Sequence, residues 1–114
     1  MVNDLDIGIL TNIIEHCVRI EETIPRVSSI EEFSTNKDVQ DILCFNILQI
    51  GELANHLSPE FIAQYKAIPW RKTIDMRNII VHGYGTIKMD RVWKTAIQDI
   101  KPLHQYCEQL IKLN

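Results

Sequence analysis

Within "MRNIIVHGYG" (76–85), an arginine, an asparagine, a histidine and a tyrosine surround an aliphatic centre. If the stretch is helical, Arg77 and His82 stand five residues apart, about 140° around the axis. They do not stack, yet both long side chains can reach one groove beside the helix. Asn78 lies four residues before His82, so its amide can orient the imidazole. Gly83 lets the backbone turn away and bring Tyr84 back over the same helix end. Such a set suits phosphodiester chemistry. An arginine grips phosphate oxygens in pairs and stabilises charge that develops on them. A histidine takes or gives a proton near neutral pH. RNA brings its own nucleophile, the 2′-OH, so cleavage needs only a base and an acid. One histidine does not easily do both jobs, and a symmetric dimer would supply a second copy. Metal catalysis is disfavoured, because no HxH, HExxH or paired carboxylates surround His82. From spacing alone, a plainer reading outweighs the reactive one: Arg77 in a surface ion pair and His82 capping the helix C-terminus.

The elements that must position this set are helical throughout. Leu10, Ile13, Ile14, Cys17, Ile20 and Ile24 recur at three- and four-residue spacing, predicting a long amphipathic helix over about 4–25, before Pro25. "SSIEEF" offers two overlapping capping boxes, Ser28 with Glu31 and Ser29 with Glu32, for a short helix. From about Asn36 a second long helix carries Val39, Ile42, Leu43, Ile47, Ile50, Leu53 and Leu57 and stops before Pro59. "SPEFIAQY" starts with a Ser N-cap and Pro at the first helical position, predicting a short connecting helix. Pro69 opens the segment that holds the polar set, and Gly83 closes it. A last helix runs from about Asp90 to Leu113, kinked or split by Pro102. No alternating strand pattern occurs. The expectation is an all-α, antiparallel bundle of four to five helices in one domain, 1–114.

With 46% hydrophobic and 24% charged residues in 114, the chain has the composition of an ordinary soluble domain. No apolar run is long enough for a membrane span. "MVNDLDIGIL" lacks the basic start of a signal peptide. Cys17, Cys44 and Cys107 form an odd, widely spaced set without a CxxC pair, which suits a reducing compartment. A cytoplasmic location is expected. The net charge of −3 hides an asymmetry: residues 1–65 hold eleven acidic and three basic side chains, whereas 66–94 hold seven basic and two acidic ones. A basic segment in an acidic chain fits either a polyanion footprint or a solvated face paired with the acidic half. Bulk acidity makes non-specific DNA binding a poor fit.

Several other residues stand out. Gly51, inside the second long helix, costs on the order of 1 kcal/mol relative to alanine, which points to a close helix–helix approach, with a dimer seam as one place for it. Asn46, Gln49 and either Glu52 or His56 form a polar stripe that either lines a cleft or faces solvent. Trp70 and Trp93 are expected as core or interface anchors, with base stacking the rarer role. His16, His56 and His104 show no partner set in the sequence. Arg71 and Lys72 could hold an RNA backbone or be plain surface charge.

Beyond these local readings, the chain resembles the HEPN superfamily, specifically its DUF86-type members, the HepT toxins of HEPN/MNT toxin–antitoxin pairs. The R-x4-H signature reads here Arg77-Asn78-Ile79-Ile80-Val81-His82, and Gly83 and Tyr84 extend it to R-x4-H-x-Y. "QDILCFNILQIGELANHLS" (40–58), "IPWRKTIDMRNIIVHGY" (68–84) and "RVWKTAIQDI" (91–100) are similar to the family's successive helices, in order. The likeness spans Leu5 to about Ile111. It implies a HEPN-like homodimer acting as a metal-independent endoribonuclease, the toxin of a type VII system. Arg77 and His82 match the catalytic pair, and Asn78 its polar neighbour. Tyr84 matches the tyrosine that a partner MNT-type nucleotidyltransferase adenylylates to silence the toxin. An AMP there would add negative charge and bulk beside Arg77. Gly85, where a bulkier residue is expected, and Lys88 are the visible departures. The alternative from another class is a non-catalytic helical module that binds a nucleotide or docks a nucleotidyltransferase. A purely structural dimer is a third.

Overall fold

The computed structural model describes residues 2–81 and 88–113, with only the backbone of Val81. The helices follow from their caps. Asn3 accepts from the Asp6 amide and opens α1 (Asp4–Thr23), and Pro25 turns the chain into a single 3-10 turn, Ile24–Arg26. Of the two overlapping capping boxes, Ser29 is the N-cap of α2 (Ile30–Thr35), accepting from the Glu32 amide. Ser28 instead donates to the Glu32 carboxylate. Asn36 caps α3 (Lys37–Ala54) through the Val39 amide. Ser58 caps α4 (Pro59–Gln64), with Pro59 in the first turn where no amide donor is needed. Then come α5 (Trp70–Val81), α6 (Met89–Gln98) and α7 (Ile100–Lys112).

Among the described residues, five long helices with two short connectors make the expected all-α bundle. The last one is split, not kinked: α6 ends at Gln98, Asp99 forms the joint, and Pro102 lies in the first turn of α7. There a missing amide donor costs least. The second long helix stops at Ala54, earlier than its apolar spacing suggests, and Leu57 is buried from the following turn.

α3 is the centre of the bundle, packing on α1 and α5 and touching α2 and α6, while α7 covers α1. Paired contacts fix the register. Asp6 meets Ser58 and His16 meets Asn46, so α1 and α3 run antiparallel. The core holds Leu10, Ile13, Cys17 and Ile20 of α1, Val39, Leu43, Ile47 and Ile50 of α3, and Ile100, Leu103 and Cys107 of α7, all at most 1% exposed. Each is on the stripe its helical spacing picks out. Asp6 is 2% exposed, and its carboxylate accepts from the Ser58 amide at 3.0 Å and the Ser58 hydroxyl at 2.7 Å. A buried charge is tolerable here because charge-assisted bonds satisfy it. No helix among the described residues is long and apolar enough to cross a membrane.

Candidate active site

α5 is held down by Trp70, Thr73 and Met76, at 2%, 3% and 4% exposure. The Trp70 indole donates to the Tyr65 carbonyl and packs edge-on against Phe61. Trp70 therefore anchors the core and offers no open face to a base. Trp93 stacks on Phe33 with ring centres 5.0 Å apart, tying α6 to α2. Ile79 and Ile80 pack only partly against the core. They are not the main packing face of the helix, because successive residues spread by about 100° each around the axis; the 70–73–76 spacing keeps to one side.

That anchoring brings Arg77 against α3. Gly51 is the reason the two helices can approach so closely. A Cβ built on Gly51 would stand 2.8 Å from the Arg77 amide nitrogen, 2.9 Å from its Cβ and 3.1 Å from the Ile74 carbonyl oxygen. The close approach is thus within one chain, between α3 and α5. One residue on, Glu52 extends its carboxylate to the Arg77 guanidinium, 3.3 Å from Oε1 to Nη1. Both side chains keep access to solvent, at 33% for Arg77 and 45% for Glu52. The ion pair steadies the guanidinium while leaving most of its donors open.

Asn78 is exposed, and its side chain makes no hydrogen bond to another described residue. His82, Gly83, Tyr84 and Gly85 lie outside the described residues, as does the closure of the helix at Gly83. Arg71 and Lys72, neighbours in sequence, separate in space. Lys72 reaches Asp99 at the α6–α7 joint, 3.5 Å away, and lines a groove between α5 and α6. Arg71 is exposed and lines none of the grooves described beside α5.

The expected polar stripe of α3 divides. Asn46 is 2% exposed; its amide donates to the Ile42 carbonyl and its oxygen meets His16 Nδ1 at 2.7 Å. Because Asn46 falls in register with Leu43 and Ile50, it points toward α1. Gln49 is half-buried, His56 is exposed, and Glu52 is taken by Arg77. The histidines also gain partners that are remote in sequence. His104 lies 2.7 Å from both Glu21 and Glu108, pinning α7 to α1. Asn46 could have been flagged as a polar residue in an apolar register; nothing local announces Glu21 as a partner of His104.

The three cysteines are free. Burial pushes the Cys107 thiol up to about 12 and raises Cys17 further, where Cys107 and Glu21 add to the effect. Cys44 is raised by burial and by Asp41. Held as neutral thiols, they serve as small apolar groups, not nucleophiles. Among the described residues no group of three or more His, Cys, Asp or Glu is arranged to hold a metal ion.

Comparison with known proteins bears on what this arrangement does. The family model described as "Ribonuclease HepT-like" matches residues 13–110. A protein of Methanocaldococcus jannaschii named "Gamma-glutamylcyclotransferase and putative RNase" is 29% identical over 108 residues, 95% of this chain. The chain spans about half of that longer protein, 47% of its length. A "Probable ribonuclease HepT" of Thermococcus cleftensis is 29% identical over 102 residues, covering 82% of this chain and 93% of the relative. No solved structure matches.

Proposed function

The chain belongs to the HepT-like ribonuclease family of the HEPN superfamily, and from that premise we propose that it is a metal-independent endoribonuclease, with Arg77 and His82 as its catalytic pair. The observation that carries this reading is Arg77 itself. It occupies the first position of an R-x4-H-x-Y motif, on a helix fixed by backbone contact with Gly51, with its guanidinium steadied by Glu52 and open to solvent.

The chemistry requires little else. The 2′-oxygen of one ribose attacks the adjacent phosphorus, and the bond to the 5′-oxygen of the next nucleotide breaks. The products carry a 2′,3′-cyclic phosphate and a 5′-OH. His82 takes the proton from the 2′-OH or gives one to the departing oxygen. Arg77 bears on the non-bridging oxygens, where charge grows in the phosphorane-like transition state. Two copies of the chain, facing each other across a cleft, would let one His82 act as base and the other as acid. Asn78 would hold the imidazole. In this reading the chain is the toxin of a type VII, HEPN/MNT pair in the cytoplasm. An MNT-type nucleotidyltransferase silences it by adenylylating Tyr84, setting a phosphate and a nucleoside beside Arg77.

The test is cleavage of a fluorophore-labelled RNA by the purified chain without its partner, in excess EDTA. The wild type should yield cyclic-phosphate ends, and His82→Ala and Arg77→Ala should each be slower by about 10²–10⁴-fold. Intact RNA with all three proteins would leave a non-catalytic nucleotide-binding or nucleotidyltransferase-docking module instead. Co-expression with the nucleotidyltransferase should add mass in AMP steps to a Tyr84 peptide, and Tyr84→Phe should abolish them.

A further inference from the structure

The chain's basic segment has a structural counterpart on the flank of α5 turned away from Glu52. Between α5 and α6 runs a groove of about 260 Å³. Lys72, Arg91 and Lys94 line it, over a floor that includes Met76 and Ile79. A smaller apolar pocket of about 90 Å³ continues it past Lys72 and Met76 toward Pro69, Pro102 and Leu103. We propose that this groove is a single-stranded RNA subsite, separate from the cleavage residues, in which Arg91 and Lys94 hold backbone phosphates. The inference rests on the endoribonuclease reading for its choice of polyanion.

Three observations converge on it. Segment 66–94 carries seven basic and two acidic residues in a chain whose net charge is −3, and α5 and the first part of α6, with the groove's three cations, come from that segment. Within the groove the cations are not equivalent. Lys72 is compensated by Asp99, whereas Arg91 and Lys94 are exposed and have no carboxylate within ion-pair distance among the described residues. Standing three residues apart on α6, they share one face and can engage successive phosphates of one strand. The rest of the lining suits the remainder of a nucleotide. The half-buried Ile79 offers an apolar surface to a base or ribose, and the carboxylates of Asp75 and Asp99 can accept from 2′-hydroxyls and exocyclic amines. A groove of about 260 Å³ has room for about one nucleotide at a time, which suits an unpaired strand with its bases free to turn inward. Lys72, Asp75, Met76 and Ile79 climb α5 toward the end that carries the R-x4-H motif. A strand in the groove would thus be led toward the proposed site of cleavage.

The experiment uses the full chain with His82→Ala, so that RNA is bound but not consumed. A labelled unstructured oligoribonucleotide is titrated at several salt concentrations by fluorescence anisotropy. Adding Arg91→Ala and Lys94→Ala should raise Kd at least tenfold and reduce the slope of log K against log salt by about 1.4, the loss of two phosphate contacts on a single strand. Lys37→Ala with Lys112→Ala, two exposed cations elsewhere, removes the same charge and should change the slope far less. Lys94→Gln alone should give an intermediate shift, and melting curves must coincide for all variants. Equal Kd and slope for groove and control pairs overturns the subsite. So does a groove variant that loses only its binding to the nucleotidyltransferase. Binding through the groove without cleavage by the unmutated chain would sink the nuclease reading alone. Cleavage indifferent to Arg91 and Lys94 would sink the subsite alone.

Discussion

Gly51 lies directly against the backbone of Arg77. A methyl group there would come within 2.8 Å of the Arg77 amide nitrogen, and backbone cannot swing aside as a side chain can. Gly51→Ala should therefore push α5 off α3. Overpacking costs about 1–3 kcal/mol, partly offset by about 1 kcal/mol of improved helix propensity. The expected result is a modestly lower Tm and a large loss of RNA cleavage, since small displacements of a catalytic group cost far more in rate than in stability. Full activity in Gly51→Ala would mean that Arg77 does not need this contact.

Glu52 should matter for rate and little for stability. Half-exposed ion pairs contribute about 0.2–1 kcal/mol, so Glu52→Ala should melt close to the wild type. If the carboxylate keeps the guanidinium aimed, Glu52→Ala lowers kcat about tenfold or more with a small change in KM. Glu52→Gln, which retains an acceptor for Arg77, should recover most of the loss. A pure KM effect, or no difference between Gln and Ala, would show that Glu52 does not position Arg77.

Asn46→Leu tests the buried polar link between α1 and α3. It removes the partner of His16 Nδ1 and the bond to the Ile42 carbonyl at once. The Ile42 carbonyl keeps its helical partner, but leaving His16 Nδ1 unpaired costs about 1–3 kcal/mol, to be read as a lower urea midpoint at unchanged m. A variant as stable as the wild type would show that water replaces the link at no cost.

The buried thiols predict an alkaline weakness. Their folded values lie above the ordinary 9.0, Cys107 at about 12, so the native state holds these protons more tightly than the unfolded chain. Their contribution is intact below about pH 9 and declines as pH rises toward 12, by about 1.4 kcal/mol per pH unit for each thiol. Urea unfolding at pH 8 and pH 10.5 should show a smaller drop for Cys107→Ala than for the wild type. An identical drop would place the alkaline loss in other groups.

How much of this was readable in advance depends on where each partner lies. The caps Asn36, Ser29 and Ser58 act within three residues, and the apolar stripes repeat every turn, so helices and core followed from spacing alone. Gly51 announced a close approach because glycine is disfavoured in mid-helix, but only the packing shows that its neighbour is Arg77, 26 positions on. Arg77 and Glu52, Lys72 and Asp99, and His104 and Glu21 are ion pairs between distant residues. No local periodicity encodes them. The division between Arg71 and Lys72 was equally hidden, because adjacent helical residues diverge by about 100° and the sequence does not say which side faces α6.

The packing of α7 on α1 has a consequence for biosynthesis. Leu10, Ile13, Cys17 and Ile20 of α1 share the core with Leu103, Cys107 and Leu110 of α7, which are made much later in synthesis. A nascent chain cannot complete that core until α7 has emerged. The helices that frame Arg77 therefore mature only once α7 has been made, and a nascent chain that still lacks it cannot yet hold Arg77 in place.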